Sequence, residues 1–423
     1  MATFIIDGGR KLGGEITISG NKNAALPILA ATVLTDEECL IDNLPAIKDV
    51  DTMLQLLSDL GKTITRLETN KVSIKGAVAK SMPDPALVRR MRASILLLAP
   101  LLARTGAATL GPPGGCVIGR RAVGTHFDAL SALGATITAG EENYEATLAH
   151  RRPANIFLDE VSVTATENAL LLGAATPGST TIDNAACEPH VDDLVEVLQK
   201  MGATIEGIHS NSLRVSGVQR LRGFTHRIVP DHIEAGTLMI ASAGTRGHLI
   251  IRDIRPRHLQ MMLIYFTRLN MQYRLLDDTA LEVSPSELRS AANKFQTRPW
   301  PGFPTDLMSP LIVLATQAQG MTLCHDWMYE SRMFFVDKLI AMGANVTLCD
   351  PHRVLVVGPT QLRGQRLSSP DIRAGVALVI AALAAHGRST IDNAELIDRG
   401  YEDLIPRLRK VGAAIERRDK AVE

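Results

Sequence analysis

The 423-residue chain has no excess of either charge: Lys plus Arg and Asp plus Glu each number 45. That balance excludes binding of nucleic acid or anionic lipid through a general basic field, so an anionic ligand must be held locally. Long apolar runs are also missing. The longest, Ala93 to Ala103 and Ala374 to Ala385, fall well short of the roughly 18 to 20 residues that span a bilayer. The N-terminus, Met1-Ala2-Thr3-Phe4-Ile5-Ile6-Asp7-Gly8-Gly9-Arg10, lacks the basic start, apolar core and small-residue cleavage site of a secretory signal, so a cytoplasmic location is expected. The five cysteines, Cys39, Cys116, Cys187, Cys324 and Cys349, are an odd number spread far apart, with no CxxC pair. Four of them read as packing residues. P-loop, GxGxxG and HExxH patterns and close histidine pairs are all absent from the sequence, so no metal and no cofactor are expected.

What is present is a repeat. A phrase of the type Leu/Met-Gly-Ala-Thr-Ile ends an amphipathic segment six times, at Gly61, Gly134, Gly202, a worn copy at Asn270, Gly343 and Gly412. The spacing is roughly seventy residues, so six such repeats fill the chain. Each phrase reads as a helix end with Gly, or Asn in the worn copy, in the left-handed cap position, followed at once by a strand. Upstream lies an amphipathic outer helix, such as the one carrying Val191, Leu194, Val195, Val197 and Leu198. A second helix precedes each outer one: Ala24 to Leu34, Ala93 to Leu102, Ala169 to Ala175, Ala235 to Ala243, Leu307 to Ala315 and Ala374 to Ala385. These are apolar all round, which predicts burial. Strand words ending in Asp-Asn, at Asn43, Asn184 and Asn393, separate the two.

The expected fold is therefore α/β, with two similar inside-out domains of three strand-helix-strand-helix-strand repeats each. With 46% apolar and 21% charged residues, both domains have the composition to bury a core. The first is placed at 22–230. The second combines 231–423 with 1–21, whose single strand, Phe4 to Ser19, completes it. A linear solenoid of six repeats is the alternative.

One cysteine stands apart. Cys116 lies in Gly111-Pro112-Pro113-Gly114-Gly115-Cys116-Val117-Ile118-Gly119-Arg120-Arg121, a loop without helix or strand pattern and beside two guanidiniums. A thiol so placed can serve as acid or nucleophile, or it can be incidental to a glycine-rich turn. Other charges fall at equivalent places in the repeats. Arg121 and Arg399 match one another, and Glu188, Glu330 and Arg332 sit at outer-helix starts. Lys22 and Asn23, Arg92, Glu167, Asp306, and Asp371 with Arg373 mark the starts of buried helices. Cations added to the free amides of helix starts make anion traps, which points to phosphate or carboxylate ligands. Taken singly, Lys22 reads equally as a solvated loop lysine, Asp306 as a cap, and Arg399 as half of an ion pair.

The words Ser19-Gly20-Asn21-Lys22-Asn23-Ala24-Ala25-Leu26-Pro27, Met91-Arg92-Ala93-Ser94-Ile95, Pro113-Gly114-Gly115-Cys116-Val117-Ile118-Gly119, Phe303-Pro304-Thr305-Asp306 and Ile397-Asp398-Arg399-Gly400-Tyr401-Glu402, in this order, resemble the UDP-N-acetylglucosamine 1-carboxyvinyltransferases, of the enolpyruvyl transferases. The resemblance runs almost end to end. It implies phosphoenolpyruvate and UDP-N-acetylglucosamine as the small-molecule partners, with phosphate displaced through a tetrahedral ketal. By the same resemblance Cys116 is the proton donor to the enol methylene, and Asp306 is the carboxylate near the attacking 3′-hydroxyl. Lys22, Arg121 and Arg399 hold phosphate and carboxylate, and Asn23 partners Lys22. Arg92, Val123, Ser162, Val163 and Met328 fall where the UDP-sugar is contacted, and Arg332 and Arg373 join the substrate-binding set.

Departures concern the nucleotide. Where the family usually has Pro-Val-Asp-Leu-His after Arg121, this chain has Ala122-Val123-Gly124-Thr125-His126. Glu160 stands for a frequent lysine and Ser331 for an asparagine. These changes leave open an enolpyruvyl transferase acting on another nucleoside or sugar nucleotide. A binding protein without catalysis is a third reading, disfavoured by the survival of Lys22, Cys116, Asp306 and Arg399.

Overall fold

The computed structural model describes residues 2–115, 119, 122–292 and 294–419. Six buried helices organise it: α1 (Lys22–Ala31), α2 (Leu98–Thr105), α3 (Val163–Ala174), α4 (His232–Gly244), α5 (Met308–Thr316) and α6 (Ile372–Ala384). Turns of 3-10 helix extend three of them, Thr32–Leu34 after α1, Arg92–Leu97 before α2 and Thr305–Leu307 before α5. Every residue of α4 up to Ala243 and of α6 up to Leu383 is buried, as all-round apolar sequences require.

The outer helices alternate with these in chain order. Two of them, Lys48–Asp59 and Pro189–Lys200, bury one stripe, Val191, Leu194, Val195, Val197 and Leu198 in the second. Their ends obey the rule read from the repeat. Gly61, Gly134, Gly202, Gly343 and Gly412 have φ between 93° and 114°, and Asn270 of the worn copy has φ 58°. The Asn of each Asp-Asn word is also left-handed, with φ of 54° to 56° at Asn43, Asn184 and Asn393. Its side chain then serves the neighbouring strand: Asn43 Nδ2 donates to the Ile228 carbonyl at 2.8 Å and Asn184 Nδ2 to that of Leu158 at 2.9 Å.

The chain divides into two compact bodies. The inserted body runs over 20–115 and 122–229, and the bracketing body over 2–19 and 230–419. Each carries three sheets around its helices. In the inserted body, Thr225–Arg227, from the last repeat, runs parallel to Cys39–Asp42 of the first and closes the ring. Among the described residues, the sheet of the second repeat (Ala107–Leu110, Tyr144–Thr147, Thr136–Ala139) has three strands. The proline-bearing segment beside it meets this sheet where Thr109 N–H donates to the Ser81 carbonyl at 3.1 Å.

In the bracketing body the sixth repeat reaches its outer strand, Ala414–Asp419, and Ala2–Asp7 pairs between that strand and Arg388–Asp392. The single strand expected from Phe4 to Ser19 is in fact two. Gly13–Thr17 leaves for a different sheet, parallel to His248–Arg252. The break falls at Gly8, where a Cβ would stand 2.2 Å from the Ala382 carbonyl oxygen, so only glycine lets the chain leave the first sheet there.

Cys39 and Cys324 are fully buried, and burial pushes their thiols up to about 11 and about 12. Cys349 is exposed, against the packing role expected of it, because it lies on the outer strand Val346–Asp350 and faces away from the core. No helix among the described residues is long and apolar enough to cross a membrane.

Candidate functional site

In the inserted body the start of α1 is set by Asn21, whose Oδ1 accepts the Ala24 N–H at 3.0 Å. This cap leaves Lys22 as the first helical residue. Its Nζ pairs with Asp49 Oδ2 at 2.8 Å, and both side chains are nearly buried. Asn23 beside it is half-buried. Arg92 opens its 3-10 helix and donates from Nη2 to the Ala122 carbonyl at 3.0 Å. Val123 follows directly, preceding the helix Gly124–Ala132. Ser162 and Val163 form the N-terminus of α3, with no side-chain cap on its amides. Glu167, expected at that helix start, lies a full turn inside and is fully buried, because the helix begins earlier than its apolar run.

Buried side-chain bonds tie these starts together. His126 Nδ1 receives Asn168 Nδ2–H at 2.9 Å, which leaves the ring proton on Nε2, where it is donated to Thr164 Oγ1 at 3.1 Å. Burial, with help from the Arg92 charge, pushes His126 down to about 3. Asn168 also donates to the Ile95 carbonyl, so the starts of three helical segments share one neutral network. At the divergent positions, Thr125 Oγ1 donates to Asp159 Oδ1 at 2.5 Å, and a side chain added at Gly124 would enter open space.

The bracketing body gathers Asp306, Arg332 and Arg373. Asp306 lies in the 3-10 turn before α5. Its Oδ1 accepts Arg332 Nη2 at 3.2 Å, and its Oδ2 accepts Nε and Nη2 of Arg373 at 2.9 and 2.8 Å. Asp371 caps α6 by accepting the N–H groups of Arg373 and Ala374, which aims Arg373 into this cluster. Both arginines are buried. Burial opposes their charge, but the Asp306 carboxylate more than offsets it and holds both above the ordinary arginine value. Met328, half-buried, donates its N–H to Asp326 Oδ1 at 3.0 Å. Arg399 ends the 3-10 helix Ala394–Arg399, half-buried, two residues before Tyr401.

Cys116 and Arg121 lie outside the described residues. Sequence reading missed Asp49, Asp326 and the hydroxyl of Tyr401, which meets Arg373 Nη1 at 3.1 Å. Tyr401 was already inside a quoted motif, and the burial of a tyrosine beside Arg399 is its signal. Asp49 and Asp326 sit in ordinary-looking contexts that only tertiary pairing distinguishes. Among the described residues, Asp193, Glu196 and His226 come within metal-ligand reach of one another. The imidazole is committed on both sides, to Asp193 at 3.0 Å and Lys200 Nζ at 2.8 Å, so the lysine cation already stands in that place.

Comparison with known proteins agrees with this arrangement. Residues 6–408 match the EPSP synthase (3-phosphoshikimate 1-carboxyvinyltransferase) family. Over 99% of its length the chain is 47% identical to a UDP-N-acetylglucosamine 1-carboxyvinyltransferase of Treponema denticola, all of which is covered. It is 47% identical over 98% of its length to that of Bradyrhizobium diazoefficiens, covering 97% of it, and 42% identical over 99% to that of Bacteroides fragilis, covering all of it. The solved enolpyruvyl transferase NikO from Streptomyces tendae superposes with a TM-score of 0.89 at 26% identity, over 98% of both chains. EPSP synthase from Acinetobacter baumannii, at 18% identity and a TM-score of 0.76, spans 99% of this chain and 100% of its own, and shares the fold. The chain belongs to the enolpyruvyl transferases, and among them to the UDP-N-acetylglucosamine 1-carboxyvinyltransferases.

Proposed function

We propose that this chain transfers the enolpyruvyl group of phosphoenolpyruvate to the 3′-hydroxyl of UDP-N-acetylglucosamine with release of phosphate, the first committed step of peptidoglycan synthesis. The observation that carries this reading is identity of 42–47% with carboxyvinyltransferases of that name over nearly the whole chain. It favours UDP-N-acetylglucosamine over another nucleotide as acceptor, despite Gly124 and Glu160.

The reaction needs a proton given to C3 of the enol as the hydroxyl oxygen bonds to C2, and a carboxylate to receive the hydroxyl proton. Loss of a C3 proton and departure of phosphate from the tetrahedral ketal then restore the double bond. Cys116 is proposed as the donor and Asp306 as the acceptor. Lys22, Arg121 and Arg399 would hold the phosphate and carboxylate, with Asn23 beside Lys22. Arg92, Val123, Ser162, Val163 and Met328 would contact the UDP-sugar.

The Asp306 cluster gives this scheme a physical rationale. An anionic substrate competes with Asp306 for Arg332 and Arg373, and each guanidinium donor it takes frees a carboxylate lone pair for the acceptor hydroxyl. The test is incubation with phosphoenolpyruvate and UDP-N-acetylglucosamine, with phosphate release as readout. Sustained release dependent on both substrates is expected. No release with this acceptor, from a folded protein, would sink the reading. The expected location is the cytoplasm.

A further inference from the structure

We propose that Asp326 is a positioning residue for Asp306, holding from one side both the chain segment and the guanidinium that fix the Asp306 carboxylate; this rests on the activity proposed above. Asp326 is fully buried. Its Oδ1 accepts the Thr297 hydroxyl at 3.2 Å and the Met328 N–H at 3.0 Å. Its Oδ2 accepts the hydroxyl of Thr305, the residue immediately before Asp306, and stands 3.9 Å from Arg332 Nε. Arg332 Nε is itself buried and makes no hydrogen bond, so the Asp326 carboxylate is the charge that faces it. The other end of the same guanidinium donates to Asp306.

The backbone of Asp326 is as firmly placed as its side chain. It follows the strand Gly320–His325, its N–H donates to the His352 carbonyl at 2.9 Å, and its carbonyl accepts His352 Nδ1–H at 2.7 Å. A carboxylate locked to a sheet on one side thus fixes Thr305, Met328 and Arg332 on the other. Remove its charge, and the buried Arg332 guanidinium loses one of the two carboxylates beside it and leans on Asp306 alone, so it pulls that carboxylate further from the acceptor hydroxyl. Remove the Thr305 hydroxyl, and the turn bearing Asp306 loses its tether. Asp326 touches no reacting atom in this scheme. It acts through Arg332 and Thr305, as an outer shell that keeps catalytic groups in register.

The experiment compares Asp326→Asn, Thr305→Val and the double variant with the wild type. It measures kcat, KM for each substrate, unfolding midpoint and crystal structure. The single variants are expected to lose about 10²-fold in kcat, with KM for phosphoenolpyruvate little changed and the Asp306 carboxylate displaced by more than about 0.5 Å. In the Asp326→Asn background, Thr305→Val should add little further loss, because the Thr305 hydroxyl acts through the Asp326 carboxylate that the first substitution has already removed. A kcat equal to that of the wild type in Thr305→Val, or an Asp306 carboxylate that has not moved in either variant, overturns the proposal. So does a kcat loss recovered in full where the variant is fully folded. Should Asp326→Asn fail to fold, Thr305→Val decides. A wild type inactive with these substrates would count against the proposed function alone, since the carboxylate position is read without turnover.

Discussion

Arg373 divides its guanidinium between two partners: Nε and Nη2 reach Oδ2 of Asp306 at 2.9 and 2.8 Å, while Nη1 donates to the Tyr401 hydroxyl at 3.1 Å. A lysine at this position would keep the charge but lose the planar fork that serves both. Arg373→Lys is therefore expected to lower kcat by about 10²-fold, the scale of a misplaced catalytic group, while the fold survives. Steady-state kinetics of the variant check this. Wild-type kcat in Arg373→Lys would mean that the pairing with Asp306 is structural only.

Cys116 lies outside the described residues, so its prediction rests on chemistry. A thiol of ordinary pKa near 8.5 is mostly protonated at neutral pH and can give its proton to carbon. Cys116→Ser is expected to lose turnover by about 10²-fold or more. Cys116→Asp keeps a proton donor, but one that loses its proton near pH 4, so activity should persist with its optimum moved to lower pH. The same variant, having no thiolate to alkylate, should resist an epoxide shaped like phosphoenolpyruvate, such as fosfomycin, to which the wild-type thiol is expected to be sensitive. Full activity of Cys116→Ser with an unchanged pH profile would make the thiol incidental to the loop.

Much of the fold was legible because its punctuation is local. The cap at Gly202 and the left-handed Asn184 are required by backbone geometry wherever a helix meets a strand in this repeat, so the sequence repeats them. The worn copy shows the same rule, since Asn270 tolerates the conformation that glycine supplies elsewhere. The fate of the N-terminal segment was not legible in detail. Its split into Ala2–Asp7 and Gly13–Thr17 depends on a close approach of Gly8 to Ala382, far away in the chain. The site divides in the same way. Asp306, Arg332 and Arg373 announce themselves as charges at helix starts, whereas Asp326 follows a strand as one acid between His325 and Trp327 and is identified only by what it is buried against.

His126 predicts an acid limit to stability. Burial first, and the Arg92 charge second, hold it down to about 3 from the ordinary 6.5. The folded ring stays neutral while the unfolded ring takes up a proton below about 6.5, so the unfolded state binds more protons and stability falls as pH drops from about 6.5 towards 3. The limiting slope is about 1.4 kcal/mol per pH unit. His126→Gln, which cannot titrate, should be less stable than the wild type at neutral pH because the network with Asn168 and Thr164 is disturbed, yet lose less on acidification. Urea midpoints on either side of the histidine range measure this. A difference between variant and wild type that does not change with pH would show that His126 contributes nothing to the acid limit.

Glu167 predicts the opposite slope. It is fully buried inside α3, its Oε1 has no hydrogen-bond partner, and burial, with the Glu188 charge adding to it, holds its carboxyl well above the ordinary glutamate value of 4.5. A group whose folded pKa is raised contributes its full stability below the unfolded value and loses it as pH rises towards the folded one. Over that window the protonated side chain in the fold is increasingly disfavoured against an ionised one in the unfolded chain. Glu167→Gln has nearly the same shape and stays neutral throughout, so it escapes this loss. The variant should match the wild type within about 1 kcal/mol at mildly acidic pH, the scale of one hydrogen bond. It should then become progressively more stable than the wild type as pH rises, by up to about 1.4 kcal/mol per unit. Chemical denaturation of both proteins across that range decides it: a constant difference, or a variant that weakens relative to the wild type in alkali, would mean that Glu167 is ionised in the fold and held by a partner.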